Sequence, residues 1–199
     1  MRCRYCEKTA VYKCKVCSNL LCTEHTMLGT ICALPVQKLK LVYTISKVTS
    51  SKDKSAIGNL VNEFWGEEEQ LTFDRKFVVA RLSAYAAKVG KSLIGFVSFV
   101  DIDSALIVVA LGILPLYQSS RVGSRLMRKV ENEAERLGRK EMLVSTSNED
   151  LPALAFYQSL GFRIFEVKPN VIAEKHGTIL QGIGGLPIRD ELRLRKTIR

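Results

Sequence analysis

Hydrophobic and polar positions alternate along much of the C-terminal part of the chain, and a period of two predicts strands. Two alternating segments, 81–89 and 92–100, are separated only by Gly90 and Lys91, a composition that favours a tight hairpin turn. The next segment, 104–114, is apolar at nearly every position. Such a run predicts a central strand that is buried on both faces of its sheet.

Apolar residues at steps of three and four predict helices. They occur over 54–65 and again from Val122 to Leu137, where Gly138 is placed to end the helix. The remaining segments predict strands over 39–48, 141–146, 162–167 and 189–198, and a short helix over 150–160. The predicted fold class is therefore α/β or α+β, with a mixed sheet.

The cysteines are confined to one end of the chain. All six lie within the first 32 residues, together with one of the two histidines. Pairs separated by two residues can direct two side chains at one tetrahedral ion, and thiolates with imidazole form a zinc ligand set. The predicted zinc ligands are Cys3, Cys6, Cys14, Cys17, Cys22, His25 and Cys32. We therefore expect a zinc module over residues 1–35 and a separate domain over residues 36–199.

The ligand spacing resembles that of cross-brace zinc modules of the B-box and treble-clef kind, in which alternate ligand pairs share a metal. This resemblance assigns Cys3, Cys6, Cys22 and His25 to a first ion and Cys14, Cys17 and Cys32 to a second. The second ion lacks one ligand, which His176 could supply unless it is an ordinary loop residue. The number of zinc ions, one or two, therefore remains open. The alternative to zinc binding is that the cysteines form disulfides.

Composition narrows the class of protein and of partner. Hydrophobic residues make up 47% of the chain, which is enough for a full core. The formal net charge of +10 favours an anionic partner such as a phosphorylated cofactor, nucleic acid or an acidic protein. The zinc module is only weakly basic once thiolates and zinc are counted, so a protein partner is favoured over nucleic acid. No apolar run is long enough for a membrane span, and we expect a cytoplasmic protein without a membrane partner.

A loop from Gln118 to Leu126 lies between the predicted central strand and the long helix. Backbone N–H groups and the positive end of a helix dipole converge at such a loop and attract phosphate. Four of its residues are small enough for a ligand to approach closely: Ser119, Ser120, Gly123 and Ser124. Arg121 is expected in right-handed helical dihedrals and, with Arg125, adds positive charge. An ordinary helix start is the alternative.

A second segment, Asn148 to Phe162, has the sequence NEDLPALAFYQSLGF. Together with the Gln-x-x-Arg-x-Gly-Ser sequence that begins at Gln118, it resembles the GNAT superfamily of acetyl-CoA-dependent N-acetyltransferases. The resemblance covers about residues 39–199. It implies a mixed, mostly antiparallel sheet flanked by helices, acetyl-CoA as cosubstrate, and an amine-bearing acceptor on a small molecule, a protein or another macromolecule.

The resemblance also implies roles for individual residues. In the family the fourth strand bulges and leaves the fifth; Gly112 is the expected bulge residue here. Tyr157 would protonate the departing thiolate, and Asn148 would bind the pantetheine arm or order the site. The residues implied in cofactor binding are Leu111, Ile113, Gln118, Ser119, Ser120, Arg121, Val122, Gly123, Ser124, Arg125, Asn148, Phe156 and Tyr157.

The sequence identifies no catalytic base. An acidic run after the first predicted helix could attract a cationic amine or be a solvated turn; its members are Glu63, Glu67, Glu68 and Glu69. Because all cysteines lie in the zinc module, we expect direct attack by the amine without a covalent acyl-enzyme. The alternative function is a non-catalytic zinc-finger adaptor or nucleic-acid-binding regulator with a degenerate GNAT domain, favoured by Arg121 where glycine is usual.

Overall fold

The computed structural model describes residues 2, 8–13, 20–21, 26–27, 31–32 and 42–198. Near the N-terminus two short antiparallel pairs are formed by β1 (Tyr12–Lys13) with β2 (Leu20–Leu21) and by β3 (Thr26–Met27) with β4 (Ile31–Cys32). The predicted zinc ligands Cys3, Cys6, Cys14, Cys17, Cys22 and His25 lie outside the described residues, and of Cys32 only the backbone is described. The described residues contain no group of His, Cys, Asp and Glu suited to a metal ion. The zinc module and its boundary at residue 35 therefore stay predictions.

Residues 42–198 form a sheet with helices on both faces. The strands are β5 (Thr44–Lys47), β6 (Glu69–Thr72), β7 (Arg75–Val78), β8 (Ser83–Val89), β9 (Ser92–Ile102), β10 (Ala105–Ile113), β11 (Glu141–Ser147), β12 (Arg163–Lys168), β13 (Leu180–Gln181), β14 (Pro187–Ile188) and β15 (Glu191–Thr197). The helices are α1 (Ser51–Trp65), α2 (Val122–Arg136), α3 (Leu151–Ser159) and α4 (Val171–His176). Every long element predicted from periodicity is present in this part of the chain.

The main sheet has seven strands in the order β12-β15-β11-β10-β9-β8-β5. Its neighbouring strands are antiparallel except for the parallel pair β10 and β11. A parallel pair needs a crossover connection, and here the connection contains α2. The predicted mixed, mostly antiparallel sheet is confirmed.

Two apolar clusters fill the space between the sheet and its helices. On one face α2 buries Leu126 and Val130 against strand residues such as Leu106. On the other face α1 buries Ile57 and Val61 against Phe96 and its neighbours. Because β9 and β10 lie between both clusters, their residues are buried on both faces, as the apolar run over 104–114 predicts.

Within residues 42–198, three short strand pairs or α-helices were not anticipated from the sequence. They are the hairpin of β6 and β7, the helix α4, and the two-residue pair of β13 and β14. The hairpin turns at Phe73 and Asp74, both of which have positive φ although neither is glycine. Its tip is held by long-range contacts, since the Phe73 N–H donates to Glu191 and Asp74 pairs with Arg193. Contacts of this kind leave no periodic signal in the sequence.

A buried carboxylate joins α2 to the edge of the sheet. Glu133 accepts hydrogen bonds from Lys47 Nζ at 3.0 Å and from Arg136 at 3.0 and 3.1 Å. The Arg136 hydrogen bonds, followed by that of Lys47, lower the pKa of Glu133 from 4.5 to about 2. A folded-state pKa below the unfolded value means that the charged form stabilises the fold above pH 4.5, and that this contribution disappears as the pH falls towards 2.

We therefore expect Glu133→Gln to lower the melting temperature at neutral pH and to differ less from the parent protein as the pH falls from 4.5 towards 2. Thermal unfolding followed by circular dichroism over this range measures the difference. Glu135→Gln is the matched control, because Glu135 lies on the same helix but is exposed. Parallel curves for the parent and Glu133→Gln across the whole pH range would contradict the expectation.

Candidate functional site

The centre of the sheet opens where β10 and β11 separate. The two strands pair only from Ala105 to Val108 on the β10 side, although both continue beyond. At the same place the register with β9 shifts between Val108 and Ala110, which makes Val109 the extra residue of a β-bulge. Val109 and Ala110 accordingly pack on the α1 side of the sheet, whereas Val108 packs on the α2 side. The expected bulge at Gly112 is wrong: the bulge lies at Val109.

Gly112 has a different role, which is steric. A Cβ atom at this position would lie 2.6 Å from the ring of Phe64 and 2.8 Å from the ring of Phe96. Such distances are too short for real contacts, so only glycine lets these aromatic rings lie against the strand.

The open edge of β10 presents unpaired backbone groups. Leu114 N–H donates to Ile94 O at 3.0 Å, on the side of β9. Because N–H groups alternate between the two sides of a strand, those of Leu111 and Ile113 point to the other side, where β11 has moved away. The Gln118 side chain donates to Ile113 O on that same side at 3.1 Å. The N–H groups of Leu111 and Ile113, two of the residues implied in cofactor binding, thus face the opening.

A first cavity of about 450 Å³ lies beside this open edge and the start of α2. Its lining residues are Leu111, Ile113, Tyr117, Gln118, Ser119, Arg121, Val122, Gly123, Ser124, Asp150, Pro152, Ala153, Phe156 and Tyr157. All the residues implied in cofactor binding are among them except Ser120, Arg125 and Asn148. We call this space the first cavity.

The loop before α2 bends through left-handed backbone. Ser119 has φ of 62° and Arg121, the residue that caps α2, has φ of 64°. The expectation of right-handed dihedrals at Arg121 is therefore wrong, because the chain reverses direction here to enter the helix. The Arg125 N–H donates a hydrogen bond to Arg121 O at 3.1 Å. It is the first N–H group of α2 that has an acceptor within the helix. The preceding N–H groups, of Val122, Gly123 and Ser124, belong to residues that line the first cavity.

The three residues that are implied in cofactor binding but do not line the first cavity have partners elsewhere in the chain. The Ser120 hydroxyl donates to Tyr117 O. The Arg125 guanidinium lies 5.4 Å from the ring centre of Tyr43, on a separate surface of α2. Arg125 therefore does not add its charge to the first cavity, in contrast to the prediction.

Asn148 binds the loop that precedes β15. Its Nδ2 donates to Pro187 O at 2.7 Å, and its Oδ1 accepts from the N–H groups of Arg189 and Asp190 at 3.0 and 2.9 Å. Both polar atoms of the side chain are thus engaged within the chain. Of the two implied roles, this position fits ordering of the site and not contact with a cofactor.

Helix α3 forms the wall shared by both sides of the opening. Phe156 lies close to the start of α2, where a Cβ at Gly123 would come within 3.2 Å of its ring. Tyr157 is only 6% exposed and makes edge-on contacts with the rings of Phe156 and Phe162. Burial, and secondarily the charge of Asp150, raises the pKa of the Tyr157 phenol above its ordinary value. The phenol is therefore protonated throughout the neutral range, as a proton donor must be.

A second cavity, of about 500 Å³, lies on the other side of Tyr157. It shares Leu111, Asp150, Ala153 and Tyr157 with the first cavity, so the two spaces meet at these residues. Its other walls come from the end of α1, from β6, from β11 beyond the point of separation, and from α4. We call this space the second cavity.

Three acidic residues of the second cavity, Glu149, Asp150 and Glu191, were missed in the sequence. Asp150 caps α3 by accepting from Ala153 N–H at 3.0 Å, and burial raises the pKa of its carboxyl group. Glu149, its neighbour, is 8% exposed. Glu149 and Asp150 lie in the segment NEDLPALAFYQSLGF, in which the family resemblance implies roles for Asn148, Phe156 and Tyr157 but not for these two residues. Of the acidic run that was expected after the first helix, Glu67 lines the cavity and pairs with Lys175. Glu63 lies within α1, and Glu63, Glu68 and Glu69 are exposed and do not line the cavity.

Comparison with known proteins places this geometry in a family. Residues 49–162 match the family model described as acetyltransferase (GNAT) family. This match covers more than half of the chain, and the protein belongs to the GNAT acetyltransferase family. Within the described part of the chain, no helix combines the length and the apolar character needed to cross a bilayer.

Individual relatives are distant. The Bacillus subtilis protein YxbD is 22% identical over 156 residues, which cover 76% of this chain and 97% of YxbD. A Bacillus subtilis acetyltransferase solved in complex with CoA has a TM-score of 0.60 at 19% identity, over 79% of this chain and 100% of that one. A GNAT family acetyltransferase from Elizabethkingia anophelis with acetyl-CoA bound has a TM-score of 0.61 at 19% identity, over 78% of this chain and 97% of that one. At these identities the likeness establishes the fold.

Proposed function

We propose that this protein is an acetyl-CoA-dependent N-acetyltransferase that moves an acetyl group to a primary amine by direct attack of the amine. The observation that carries this proposal is the meeting of two cavities at Leu111 and Tyr157. One is bordered by free backbone N–H groups and the other by carboxylates. Acyl transfer from a thioester to an amine needs this separation of a cofactor side from an acceptor side, with a proton donor between them.

The first cavity fits the cosubstrate. The N–H groups at the start of α2 and the guanidinium of Arg121 would bind the diphosphate, since a helix N-terminus and a cation both favour an anion. The open N–H groups of Leu111 and Ile113 would bind the pantetheine arm, in the way that an added strand binds a sheet edge. When bound, acetyl-CoA supplies the activated acyl group. Related structures with CoA or acetyl-CoA bound support this assignment.

Tyr157 is proposed as the proton donor for the departing thiolate, because it is buried, neutral and in contact with both cavities. The chain has no cysteine beyond Cys32. Residues 36–199 therefore offer no thiol nucleophile, which favours direct attack over a covalent acyl-enzyme.

Ligand binding and turnover test the proposed function together. Acetyl-CoA should raise the melting temperature in a concentration-dependent way, because a ligand that binds only the folded state stabilises it by mass action. Acetyl-pantetheine, which lacks the diphosphate, is the matched ligand control and should stabilise far less. Release of free thiol with a panel of primary amines should show transfer. Binding of acetyl-CoA without transfer to any amine would favour the adaptor function instead, and absence of binding would overturn the proposal.

We also propose that residues 1–35 bind zinc, with Cys3, Cys6, Cys14, Cys17, Cys22, His25 and Cys32 as ligands and with scaffolding or protein binding as the role. Structural zinc stabilises small modules by about 10 kcal/mol, so metal removal should unfold this segment. Elemental analysis of the purified full chain should give one or two zinc ions per molecule. Replacing both Cys14 and Cys17 by serine should reduce the value if a second ion is bound. A metal-free protein with disulfides would contradict the proposal.

A further inference from the structure

Two residues that line the second cavity each have a buried polar atom without a hydrogen-bond partner among the described residues. These atoms are Oε2 of Glu149 and Nε2 of Gln70, one an acceptor and the other a donor. Buried polar groups are nearly always hydrogen-bonded in native structures, and leaving one unpaired is costly. An unpaired acceptor and an unpaired donor on residues that line one cavity therefore indicate a ligand that presents the complementary groups.

The backbone around Glu149 holds its side chain in place. A Cβ atom at Gly182 would lie 2.2 Å from Glu149 Cγ, so the chain between β13 and β14 can press against this side chain only because residue 182 is glycine. Glu149 is 8% exposed, and it lines the second cavity together with Tyr157. A carboxylate held in one orientation at this wall is preorganised for cation binding, so less conformational entropy is lost when the cation binds.

The other carboxylates of the second cavity are already engaged. Glu67 pairs with Lys175, and Asp150 caps α3. Glu191 pairs with Arg193 at 2.8 Å and also accepts from Phe73 N–H. Within residues 42–198, Oε2 of Glu149 has no hydrogen-bond partner. A cationic ligand can therefore pair with Glu149 without first breaking an existing contact of its side chain, in contrast to Glu67, Asp150 and Glu191.

Besides the polar residues Thr72, Ser145, Thr146, Ser147, Lys175 and His176, the remaining walls of the second cavity contain a set of apolar residues. The apolar residues include Phe64, Trp65, Leu71, Val109, Ile172 and Leu180. Trp65 is 42% exposed at the end of α1, which leaves part of its indole ring available for contact. These apolar residues favour a ligand with an apolar or aromatic skeleton, because burying such a skeleton against them removes apolar surface from water.

We propose that the acceptor is a primary amine on a small apolar skeleton that also carries a hydrogen-bond-accepting oxygen. Its ammonium group binds the carboxylate of Glu149, its oxygen accepts from Nε2 of Gln70, and its skeleton packs on the apolar walls. The bound ammonium loses a proton to solvent before its nitrogen attacks the thioester carbonyl, and the CoA thiolate leaves with the proton of Tyr157. This inference rests on the proposed function and gives it a substrate class. An amino acid amide and the N-terminal residue of a peptide share this chemistry, and the choice of probes separates them.

The test measures kcat/KM for four probes: L-phenylalaninamide, 2-phenylethylamine, a tripeptide amide that begins with phenylalanine, and spermidine. We expect L-phenylalaninamide to be preferred, and Glu149→Gln to reduce its kcat/KM by about thirtyfold, mainly through KM, because the charged hydrogen bond is lost. Gln70→Leu should reduce kcat/KM about fivefold for L-phenylalaninamide but leave 2-phenylethylamine, which has no oxygen, unchanged. Glu69→Gln, an exposed charge removal on the same strand as Gln70, is the control and should change neither.

Two separate readouts distinguish failure of this inference from failure of the proposed function. Calorimetry with acetyl-CoA tests the first cavity alone, and calorimetry with L-phenylalaninamide tests the second cavity without turnover. If acetyl-CoA binds but L-phenylalaninamide does not, or if Glu149→Gln leaves its binding and kcat/KM unchanged, the substrate class is overturned and the proposed function stands. Preference for spermidine would overturn the substrate class as well. Preference for the tripeptide amide with the same dependence on Glu149 supports the site and assigns a peptide as its source.

Discussion

Replacing Tyr157 by phenylalanine should lower kcat about a hundredfold while leaving the dissociation constant of acetyl-CoA within a factor of about two. The hydroxyl is the only group removed, and the ring keeps its contacts with Phe156 and Phe162. Proton donation to a leaving group matters in the transition state and not in cofactor binding, so the loss should fall on turnover. Steady-state thiol release and calorimetry measure the two quantities.

The raised pKa of Tyr157 also leads to an expectation for the pH dependence of the parent protein. Because burial keeps the phenol neutral to higher pH than usual, kcat of the parent protein should show no alkaline decline from this group below pH of about 10. Tyr85→Phe is the matched control, since Tyr85 lines neither cavity. If Tyr157→Phe retains the parent kcat, another group or a water molecule protonates the thiolate.

Replacing Arg121 by glycine should stabilise the protein and weaken acetyl-CoA binding at the same time. Arg121 has φ of 64°, a left-handed conformation that costs an ordinary residue roughly 1–2 kcal/mol. Glycine avoids this strain but loses more backbone entropy on folding, so the net gain is at most about 1 kcal/mol. A gain of this size raises the melting temperature of a chain of this length by about 2–4 °C. The same change removes the cation that lines the first cavity, which should weaken acetyl-CoA binding about tenfold and make it less dependent on salt.

Two further variants separate conformation from charge. Arg121→Ala removes the guanidinium but keeps the left-handed strain, so it should weaken binding as much as glycine does without raising the melting temperature. Arg125→Ala is the control for charge, because the Arg125 guanidinium lies over Tyr43 and not in the first cavity. Melting curves give the melting temperatures, and calorimetry at two ionic strengths gives the acetyl-CoA affinities and their dependence on salt. Equal acetyl-CoA affinity for the parent and Arg121→Ala would remove Arg121 from the diphosphate site.

The sequence predicted the long elements because their signal is local. Apolar residues at helical spacing and the uninterrupted run over 104–114 each report burial of one element, and both helices and the central strand lie where expected. The loop residues of the first cavity were also found, since a strand, a small-residue loop and a helix stand next to one another in the chain. The hairpin of β6 and β7 was missed because its tip is stabilised by Glu191 and Arg193, more than a hundred residues away.

Two predictions about the site depended on backbone geometry and were corrected, and a third, for Asn148, offered two roles of which the structure fits ordering of the site. The bulge lies at Val109 and not at Gly112, because packing of Val109 and Ala110 towards α1 decides where the strand shifts register. Arg121 is left-handed because the chain must turn into α2. Asn148 is held by the loop before β15, which no local pattern connects to it.

The sequence by itself determined the order of elements, the family resemblance and most residues of the first cavity, because each of these depends on residues close together in the chain. The tertiary structure alone decided that β11 leaves β10 after Val108, that Tyr157 lies between two cavities, and that Glu149 is buried without a partner in the described chain. These properties come from elements that are far apart in sequence but pack around one opening in the sheet. This packing decides how deeply each side chain is buried and which neighbours it contacts.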